Sequence, residues 1–259
     1  MFSFKKGIPV ARIFGGKDDD KLLKLDTSQH DDQYDEEKDR TVYECRKRSH
    51  MEERLPVEGR SCVYICGQSG AGKTELMLKL IKPYSLFFPK KKIFLFSRTN
   101  FKEDPAYKKY KISPIQIKID EDLLHNPIDI TMELKSDEGS IVLFDDCATL
   151  QNDKLRNCID KLVMDILEVG RKLNITTIIT SHMIIGNTRA TSRVILNECN
   201  IWCLFPKSGS LQQAKYALKE HVGLSNQQID ELMNLPSRSV SIHKTYPNYI
   251  FSDKIAYIL

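Results

Sequence analysis

The residues best suited to chemistry form one short run, GQSGAGKT. The run matches G-x-x-x-x-G-K-[ST], follows an apolar stretch at 61–66 and precedes the amphipathic segment ELMLKLIK. Glycines let successive backbone N–H groups turn towards phosphate oxygens, and the helix N-terminus adds partial positive charge. The sequence therefore predicts a phosphate-binding loop whose nucleotide contacts are Gly67, Gln68, Ser69, Gly70, Ala71, Gly72, Lys73 and Thr74.

Two side chains of this loop have separate predicted tasks. Lys73 is placed to supply a cation for the β and γ phosphates of a nucleoside triphosphate, and Thr74 to offer its hydroxyl to Mg²⁺. ATP and Mg²⁺ are accordingly the predicted cofactors.

A pair of acids completes the predicted site. Asp145 and Asp146 close the apolar run SIVLFDD. We expect Asp145 to hold Mg²⁺ through water, and Asp146 to orient and deprotonate an attacking water. Two adjacent acids after a buried strand favour hydrolysis over phosphate transfer to a small acceptor.

A histidine follows the next apolar run, NITTIITS, at position 182. The strand after the acids should lie beside the P-loop strand, so that its carboxyl end faces the γ phosphate. His182 could then sense phosphate or position water; the alternative is a structural or surface histidine.

Five near-continuous apolar runs indicate the scaffold that carries these residues. Runs of this kind suit strands buried on both faces, and hence a mainly parallel sheet flanked by helices. They cover 61–66, 92–97, 140–146, 174–181 and 200–206. The predicted fold class is α/β, a P-loop NTPase with a C-terminal β-hairpin that turns at Pro247–Asn248.

Weaker patterns predict further elements. The alternating run 112–119 predicts an edge strand. A helix is expected to begin near Asn152, with Asn152 or Asp153 as its N-cap. Two more helices are predicted over 210–221 and 225–235, the second with Ser225 as its N-cap. The apolar stripe of the first helix consists of Leu155, Ile159, Leu162, Val163, Ile166 and Leu167.

Charge and polarity divide the chain near residue 58. Residues 1–58 carry 12 Lys and Arg against 14 Asp and Glu, and the remaining 201 carry 27 against 21, a balance of +6. The stretch 17–40 is almost wholly polar and should stay mobile, or be ordered by a partner, because it buries too little apolar surface. We predict a polar, partly disordered extension over 1–58, with a short strand near 41–45, and a P-loop ATPase domain over 59–259.

Composition excludes several classes of protein. The 259 residues are 41% hydrophobic and 29% charged, which argues against global disorder. No apolar run approaches the roughly 20 residues of a membrane span, and no secretory block is present. Seven cysteines without a CxxC pair predict free thiols. We therefore expect an intracellular protein of a reducing compartment that has no membrane partner.

The order of five segments between residues 60 and 206 resembles that of one family. The segments are similar to the genome-packaging ATPases of large nucleocytoplasmic DNA viruses, including the poxvirus packaging ATPase, within the FtsK–HerA superfamily. They read GQSGAGKTE, FLFSRTNFKEDPAYKKY, IVLFDD, GRKLNITTIITSH and TSRVILNECNIWCLF. Ser181–His182 stands at the sensor position, where a glutamine is common in FtsK and HerA relatives.

This resemblance implies a RecA/ASCE-like ATPase that pumps double-stranded DNA into a preformed capsid. The implied partners are double-stranded DNA, further copies of the chain in a ring of five or six, and a capsid or portal component. The implied location is the viral factory in the host cytoplasm, or the virion. Arg193 aligns with the arginine finger of the family because Asn197 follows at the family spacing; Arg189 and Arg171 are the alternatives.

Lysines interleaved with aromatic residues are candidates for DNA contact, although a solvated lysine-rich loop gives the same pattern. They are Lys90, Lys91, Lys92, Lys102, Lys108, Lys109 and Lys111, with Tyr107 and Tyr110.

Two other classes of function stay open. The chain could be a different P-loop enzyme, such as a helicase, a transposition-associated ATPase or a nucleotide kinase. It could also be a nucleotide-gated assembly scaffold, which needs the P-loop but not Asp146. Turnover, and its response to DNA, distinguishes these possibilities.

Overall fold

The computed structural model describes residues 1–27, 41–147, 150–184, 189–208 and 210–259. Within those ranges the strands form one sheet of ten and one of four. The strands are β1 (Phe2–Ser3), β2 (Ile8–Phe14), β3 (Leu22–Leu25), β4 (Val42–Glu44), β5 (His50–Glu53), β6 (Cys62–Cys66), β7 (Lys92–Ser97), β8 (Ile115–Ile117), β9 (Ser140–Asp145), β10 (Thr176–Ser181), β11 (Ile201–Leu204), β12 (Val240–His243), β13 (Tyr249–Ser252) and β14 (Ile255–Ile258). The helices are α1 (Lys73–Phe87), α2 (Pro105–Tyr110), α3 (Asp122–His125), α4 (Asp153–Val169), α5 (Arg189–Glu198), α6 (Leu211–Ala217) and α7 (Asn226–Met233), with a π-helical turn at Leu218–Val222.

The large sheet has a parallel half that carries the predicted site. Its order is β8-β7-β9-β10-β6-β11, and every pairing in it is parallel. Strands β6, β9, β10 and β11 are buried along their whole length, as the apolar runs predict. Helix α1 packs on one face, and α4 covers the other. The predicted α/β class, with a mainly parallel sheet flanked by helices, is confirmed.

Helix α4 shows how the sequence sets an element boundary. The Asn152 side chain accepts hydrogen bonds from the backbone N–H groups of Lys154 and Leu155, which caps the first turn. The buried residues of α4 are the six apolar residues of the predicted stripe. The edge strand β8 and the Ser225 cap of α7 also match their predictions.

The C-terminal hairpin is present and is extended by a third strand. Strands β12 and β13 pair antiparallel, and β13 continues into an antiparallel pair with β14. The second turn lacks Gly and Pro; instead the Ser252 hydroxyl accepts hydrogen bonds from the backbone N–H groups of Lys254 and Ile255. Strand β12 pairs antiparallel with β11, so these strands continue the parallel half of the sheet.

The N-terminal residues form the small sheet, in the order β1-β3-β2-β5. The prediction of a mobile segment over 17–40 is wrong for residues 22–25, which form β3. The physical reason is that Leu23 and Leu25 pack in an apolar cluster with Tyr249 and Phe251 of the C-terminal strands. Apolar residues from the other end of the chain therefore cover these leucines, which the segment 17–40 could not bury by itself.

The remainder of the predicted extension is described only in part. Strand β4 forms where a short strand is predicted and pairs with β14. Residues 28–40 lie outside the described ranges, and the domain boundary at residue 58 stays a prediction. Across the described ranges, no helix has both the length and the apolar character that a membrane crossing requires.

The cysteines are free thiols, as predicted, and five of the seven are buried. Burial raises the pKa of Cys62 to about 11 and that of Cys66 to about 12. These thiols therefore stay protonated and unreactive at neutral pH.

Candidate nucleotide-binding site

The P-loop joins β6 to α1 at the carboxyl edge of the parallel strands. Strand β6 ends at Cys66, and α1 begins at Lys73 with Gly72 as its N-cap. Gly70 and Gly72 have φ angles of 75° and 105°, a region that favours glycine. The loop can therefore wrap back over the helix N-terminus only with glycine at these two positions.

Gly67 is needed for a different reason from the one predicted. A Cβ atom at Gly67 would lie 2.7 Å from the Phe205 ring, so packing rather than backbone conformation excludes a side chain. The Gly67 N–H donates to the Ser181 carbonyl at 3.1 Å. The N–H of Gln68 donates to the Ser208 hydroxyl at 3.1 Å. The loop is thus held on both sides, by the residue that ends β10 and by the segment after β11.

Thr74 and Asp145 face each other across the site. The Thr74 hydroxyl lies 3.2 and 3.3 Å from the two carboxylate oxygens of Asp145. The Thr180 hydroxyl donates to Asp145 Oδ1 at 2.8 Å. Burial raises the pKa of Asp145, and these hydroxyl hydrogen bonds oppose that shift. The carboxylate charge is therefore costly in its present surroundings.

This oxygen-rich pair fits the Mg²⁺ ion that the P-loop implies. Mg²⁺ prefers hard oxygen ligands, and a dication would offset the buried charge of Asp145. The nearby Tyr107 hydroxyl is buried and has no hydrogen-bond partner among the described residues. Burial and the charges of Asp145 and Asp104 raise the pKa of Tyr107, so its hydroxyl remains a donor. Thr74 and Asp145 are the residues that would hold the ion.

Asp146 differs sharply from the acid beside it. Its φ angle is 53°, which turns the chain abruptly after β9. Its N–H donates to the Thr180 hydroxyl at 2.9 Å, and 42% of its side chain is exposed. The two consecutive carboxylates therefore differ in exposure, although the Thr180 hydroxyl lies 2.8 Å from Asp145 Oδ1 and 3.4 Å from Asp146 Oδ1.

Lys73, His182 and Asp146 form a connected triangle. Lys73 Nζ lies 3.3 Å from His182 Nδ1 and 3.5 Å from Asp146 Oδ1, and His182 Nε2 lies 3.3 Å from the same carboxylate oxygen. A lysine ammonium can only donate, so His182 Nδ1 accepts and the ring proton resides on Nε2. His182 therefore donates to Asp146 in this arrangement and links the predicted cation to the predicted base.

The topology explains why His182 reaches the triangle. Strand β10 pairs with β6 on one side and with β9 on the other. The P-loop strand, the histidine strand and the acid strand consequently end side by side. This arrangement confirms the strand placement expected from the sequence.

The arginines lie apart from these contacts. Arg193 is exposed on α5, and Arg171 is exposed just after α4. Among the described residues, Arg193 has no hydrogen bond or ion pair to its own P-loop. The side chain of Arg189 lies outside the described residues.

The proposed lysine contacts with DNA are wrong in part. Lys91 is buried, and its Nζ donates to the Tyr84 hydroxyl at 3.1 Å. Tyr107 is also buried, and the Lys109 and Tyr110 side chains bind Glu75 of α1. These contacts fasten α2 and the start of β7 to α1. Burial contradicts a DNA contact for Lys91 and Tyr107, whereas Lys109 is exposed and stays a candidate.

Sequence reasoning missed three residues that shape the site. A polar residue near the end of an apolar strand is a recognisable signal, and it could have identified Thr180. Ser208 and Arg238 have no such signal. The Arg238 guanidinium donates to the Gly70 carbonyl at 3.2 Å from 168 residues further along the chain. Only the folded sheet brings these residues to the loop.

Comparisons with known proteins give one clear sequence relative. No protein-family model matches the chain. "Uncharacterized protein V3" of Sputnik virophage is 40% identical over 192 residues, which cover 74% of this chain and 74% of that protein.

Similar solved structures are remote in sequence. B204, the DNA-packaging ATPase from Sulfolobus Turreted Icosahedral Virus, is 11% identical, with a TM-score of 0.48 over 78% of this chain and 98% of that chain. EssC (ATPases 2 and 3) from Geobacillus thermodenitrificans is 14% identical, with a TM-score of 0.46 over 80% of this chain and 41% of that chain. At these levels the similarity assigns no role to any residue of this chain.

Proposed function

This chain belongs to the same family as protein V3 of Sputnik virophage, and from its P-loop site we propose that it is an ATP-hydrolysing motor that moves double-stranded DNA. The observation that carries the hydrolysis is the triangle of Lys73, His182 and Asp146 beside the Thr74–Asp145 pair. It places a cation, a bridging histidine and an exposed carboxylate at one end of a phosphate-binding loop. A protein that only bound nucleotide would not need the exposed carboxylate there.

Binding follows from the loop itself. The N–H groups of Gly67 and Gln68 are already bonded to Ser181 and Ser208, so the β phosphate would bind backbone N–H groups within 69–74 and the N-terminus of α1. Lys73 favours the β and γ oxygens. When bound at Thr74 and Asp145, Mg²⁺ would neutralise charge on the phosphates. Once Lys73 binds phosphate, its interaction with Asp146 weakens, and that carboxylate can accept a hydrogen bond from water.

Hydrolysis is then a single displacement. The water oxygen attacks the γ phosphorus, the bond to the β–γ bridging oxygen breaks, and Asp146 accepts the proton, giving ADP and phosphate. The Nε2–H of His182 keeps the Asp146 carboxylate pointed into the site. Lys73 stabilises the charge that develops on the equatorial oxygens.

The second part of the proposal concerns the DNA partner and the place where the protein acts. The ordered resemblance over residues 60–206 and the +6 charge balance of residues 59–259 support a phosphate-backbone partner. We propose a ring of five or six subunits that loads a viral genome into a capsid, with a capsid or portal component as a further partner. The site of action would be the viral factory in the host cytoplasm, or the virion.

The decisive experiment measures ATP hydrolysis with and without linear duplex DNA, alongside the native mass. We expect magnesium-dependent turnover that DNA stimulates, in an assembly of several subunits. If DNA does not change the rate of ATP hydrolysis, the protein is a P-loop hydrolase and the proposed DNA translocation is wrong.

Variants of the triangle test the hydrolysis itself. Lys73→Ala should remove most turnover, and Asp146→Asn should lower kcat by about 10²-fold while ATP still binds, the usual scale for loss of a general base. Asp137→Asn, an exposed acid before β9, is the matched control and should act like the wild type. If Asp146→Asn turns over ATP at the wild-type rate, the assembly-scaffold alternative is favoured.

A further inference from the structure

Arg238 places a second cation on the P-loop. Its Nη2 donates to the Gly70 carbonyl at 3.2 Å. Its guanidinium also lies over Gly72, where an added Cβ would be 3.3 Å from Cζ and from Nη2. A guanidinium has five N–H donors, and the Gly70 carbonyl accepts one of them.

The segment that carries Arg238 is anchored, although the side chain itself is exposed. Neighbouring Ser237 is buried, and its hydroxyl donates to the Asp253 carboxylate in the turn between β13 and β14. The Asp253 carbonyl accepts the N–H of Met51 in β5 at 2.8 Å. The guanidinium therefore approaches the loop from a fixed base formed by the antiparallel strands.

Arg238 and Lys73 approach the loop from opposite sides. The Lys73 ammonium contacts His182 and Asp146, which follow β10 and β9. Arg238 precedes β12, which lies beyond β11 on the other side of β6. The pair Thr74–Asp145 and the exposed Asp146 mark the end of the site where the γ phosphate belongs. The α phosphate then lies towards Arg238.

We infer that Arg238 binds the α phosphate of the nucleotide within its own subunit. This inference rests on the proposed nucleotide site and adds the residue that recognises the nucleoside end of the triphosphate. Because ADP and ATP share the α phosphate, Arg238 should contribute equally to the affinity for both. Its role is binding, and it does not touch the reacting bond.

The test compares dissociation constants for ADP, a non-hydrolysable ATP analogue and pyrophosphate, measured by calorimetry in magnesium buffer. In Arg238→Ala, ADP and the ATP analogue should both bind about tenfold or more weakly, the scale of a hydrogen bond to a charged group. Pyrophosphate fills the β and γ positions and should bind as it does to the wild type. Arg238→Lys should recover part of the loss.

The three ligands also distinguish an α-phosphate contact from a bracing role and from a γ-phosphate contact. Arg46→Ala, an exposed arginine in the turn before β5, is the control and should leave all three affinities unchanged. If Arg238→Ala weakens pyrophosphate equally, the residue only braces the loop and the inference is overturned. A loss confined to the ATP analogue, with lower kcat, overturns it in favour of a γ-phosphate contact. Unchanged ADP affinity also overturns it. A wild type that binds no nucleotide overturns the proposed function itself.

Discussion

At the scale of single residues, the two adjacent acids are in contrasting environments. Asp145 is buried beside the Thr74 and Thr180 hydroxyls, whereas Asp146 is partly exposed. Burial raises the pKa of Asp145 above its ordinary value of 3.8. A carboxyl whose folded-state pKa is raised contributes stability below its unfolded-state pKa, and that contribution is lost as the pH rises through the folded-state value. At neutral pH the ionised Asp145 therefore costs folding free energy.

We predict that Asp145→Asn stabilises the nucleotide-free protein. The free energy of unfolding at pH 7 should rise by about 0.5–2 kcal/mol, the usual range of a stabilising substitution. The gain should shrink as the pH falls through the raised folded-state pKa of Asp145, because the wild-type carboxyl then takes up its proton. Urea unfolding at several pH values measures it, with Asp137→Asn as the control.

Mg·ATP should stabilise the wild type more than it stabilises Asp145→Asn. With Mg·ATP, the wild type gains stability by mass action, whereas Asp145→Asn should gain much less because its magnesium ligand is lost. A wild type that is more stable than the variant even without ligand would contradict the cost assigned to Asp145.

The predictability of the site depends on distance along the chain. The P-loop residues are contiguous, and Asp145 and Asp146 follow an apolar run, so local patterns identify them. The contacts of His182 require knowledge that β10 lies between β6 and β9. Arg238 reaches the loop only through the tertiary fold, and nothing in its neighbourhood predicts this.

At the scale of elements, a buried polar cluster joins the small sheet to the large one. Glu53 of β5 accepts a hydrogen bond from the Ser241 hydroxyl at 2.6 Å and lies 2.6 Å from His243 Nε2. Both partners belong to β12, and His243 stacks on the Tyr249 ring at 4.0 Å. All of these side chains are buried. One carboxylate thus satisfies two polar groups from a different sheet.

We predict that Glu53→Ala strongly destabilises the chain. Removal of the carboxylate leaves two buried polar partners unsatisfied, at a cost of about 1–3 kcal/mol for each. Thermal unfolding measures the loss. Glu52→Ala is the matched control, because Glu52 is the preceding residue and its contact with Lys79, at 3.6 Å, is partly exposed. That control should change stability by less than about 1 kcal/mol. If Glu53→Ala and Glu52→Ala lose similar amounts of stability, the buried cluster makes no specific contribution to stability.

The sequence predicts best those elements whose own apolar residues recur at a regular spacing. Helix α4 has a capping residue and a complete apolar stripe, and both are found where expected. Strand β3 has three leucines, at 22, 23 and 25, in a polar stretch, and the burial of Leu23 and Leu25 depends on Tyr249 and Phe251. A local pattern cannot reveal a partner surface that lies at the other end of the chain.

At the scale of the whole molecule, the exposure of Arg193 suits a role in a neighbouring subunit. We predict that inactive Lys73→Ala subunits, which keep Arg193, regain activity when mixed with inactive Arg193→Ala subunits, which keep an intact P-loop. In mixed rings, some interfaces would then combine an intact Arg193 of one subunit with an intact P-loop of its neighbour. ATP hydrolysis after mixing measures the recovery.

Subunit exchange must be proved in the same samples, for instance by native mass of tagged mixtures. No recovery despite exchange would remove Arg193 from its neighbour's site. Arg171→Ala, tested in the same way, examines the alternative arginine.

Charge over the whole molecule gives a prediction for DNA. We expect duplex binding with weak sequence preference and an affinity that falls steeply as salt rises, because each neutralised phosphate releases counterions. Binding curves at several salt concentrations, on two unrelated duplexes, measure both properties. Affinity that is independent of salt would argue against contacts to the phosphate backbone.

The pairing of β4 with β14 has a consequence for how the protein is made. Tyr43 lies opposite Ala256, so two strands that are neighbours in the sheet leave the ribosome far apart in time. At about 5–20 residues per second, β4 emerges roughly 10–40 s before its partner exists. During that interval the nascent N-terminal strands have an unpaired edge and uncovered leucines, while the P-loop strand and its parallel neighbours are still being translated. Production of this protein should therefore depend on chaperones that shield the early strands until the final turn has been translated.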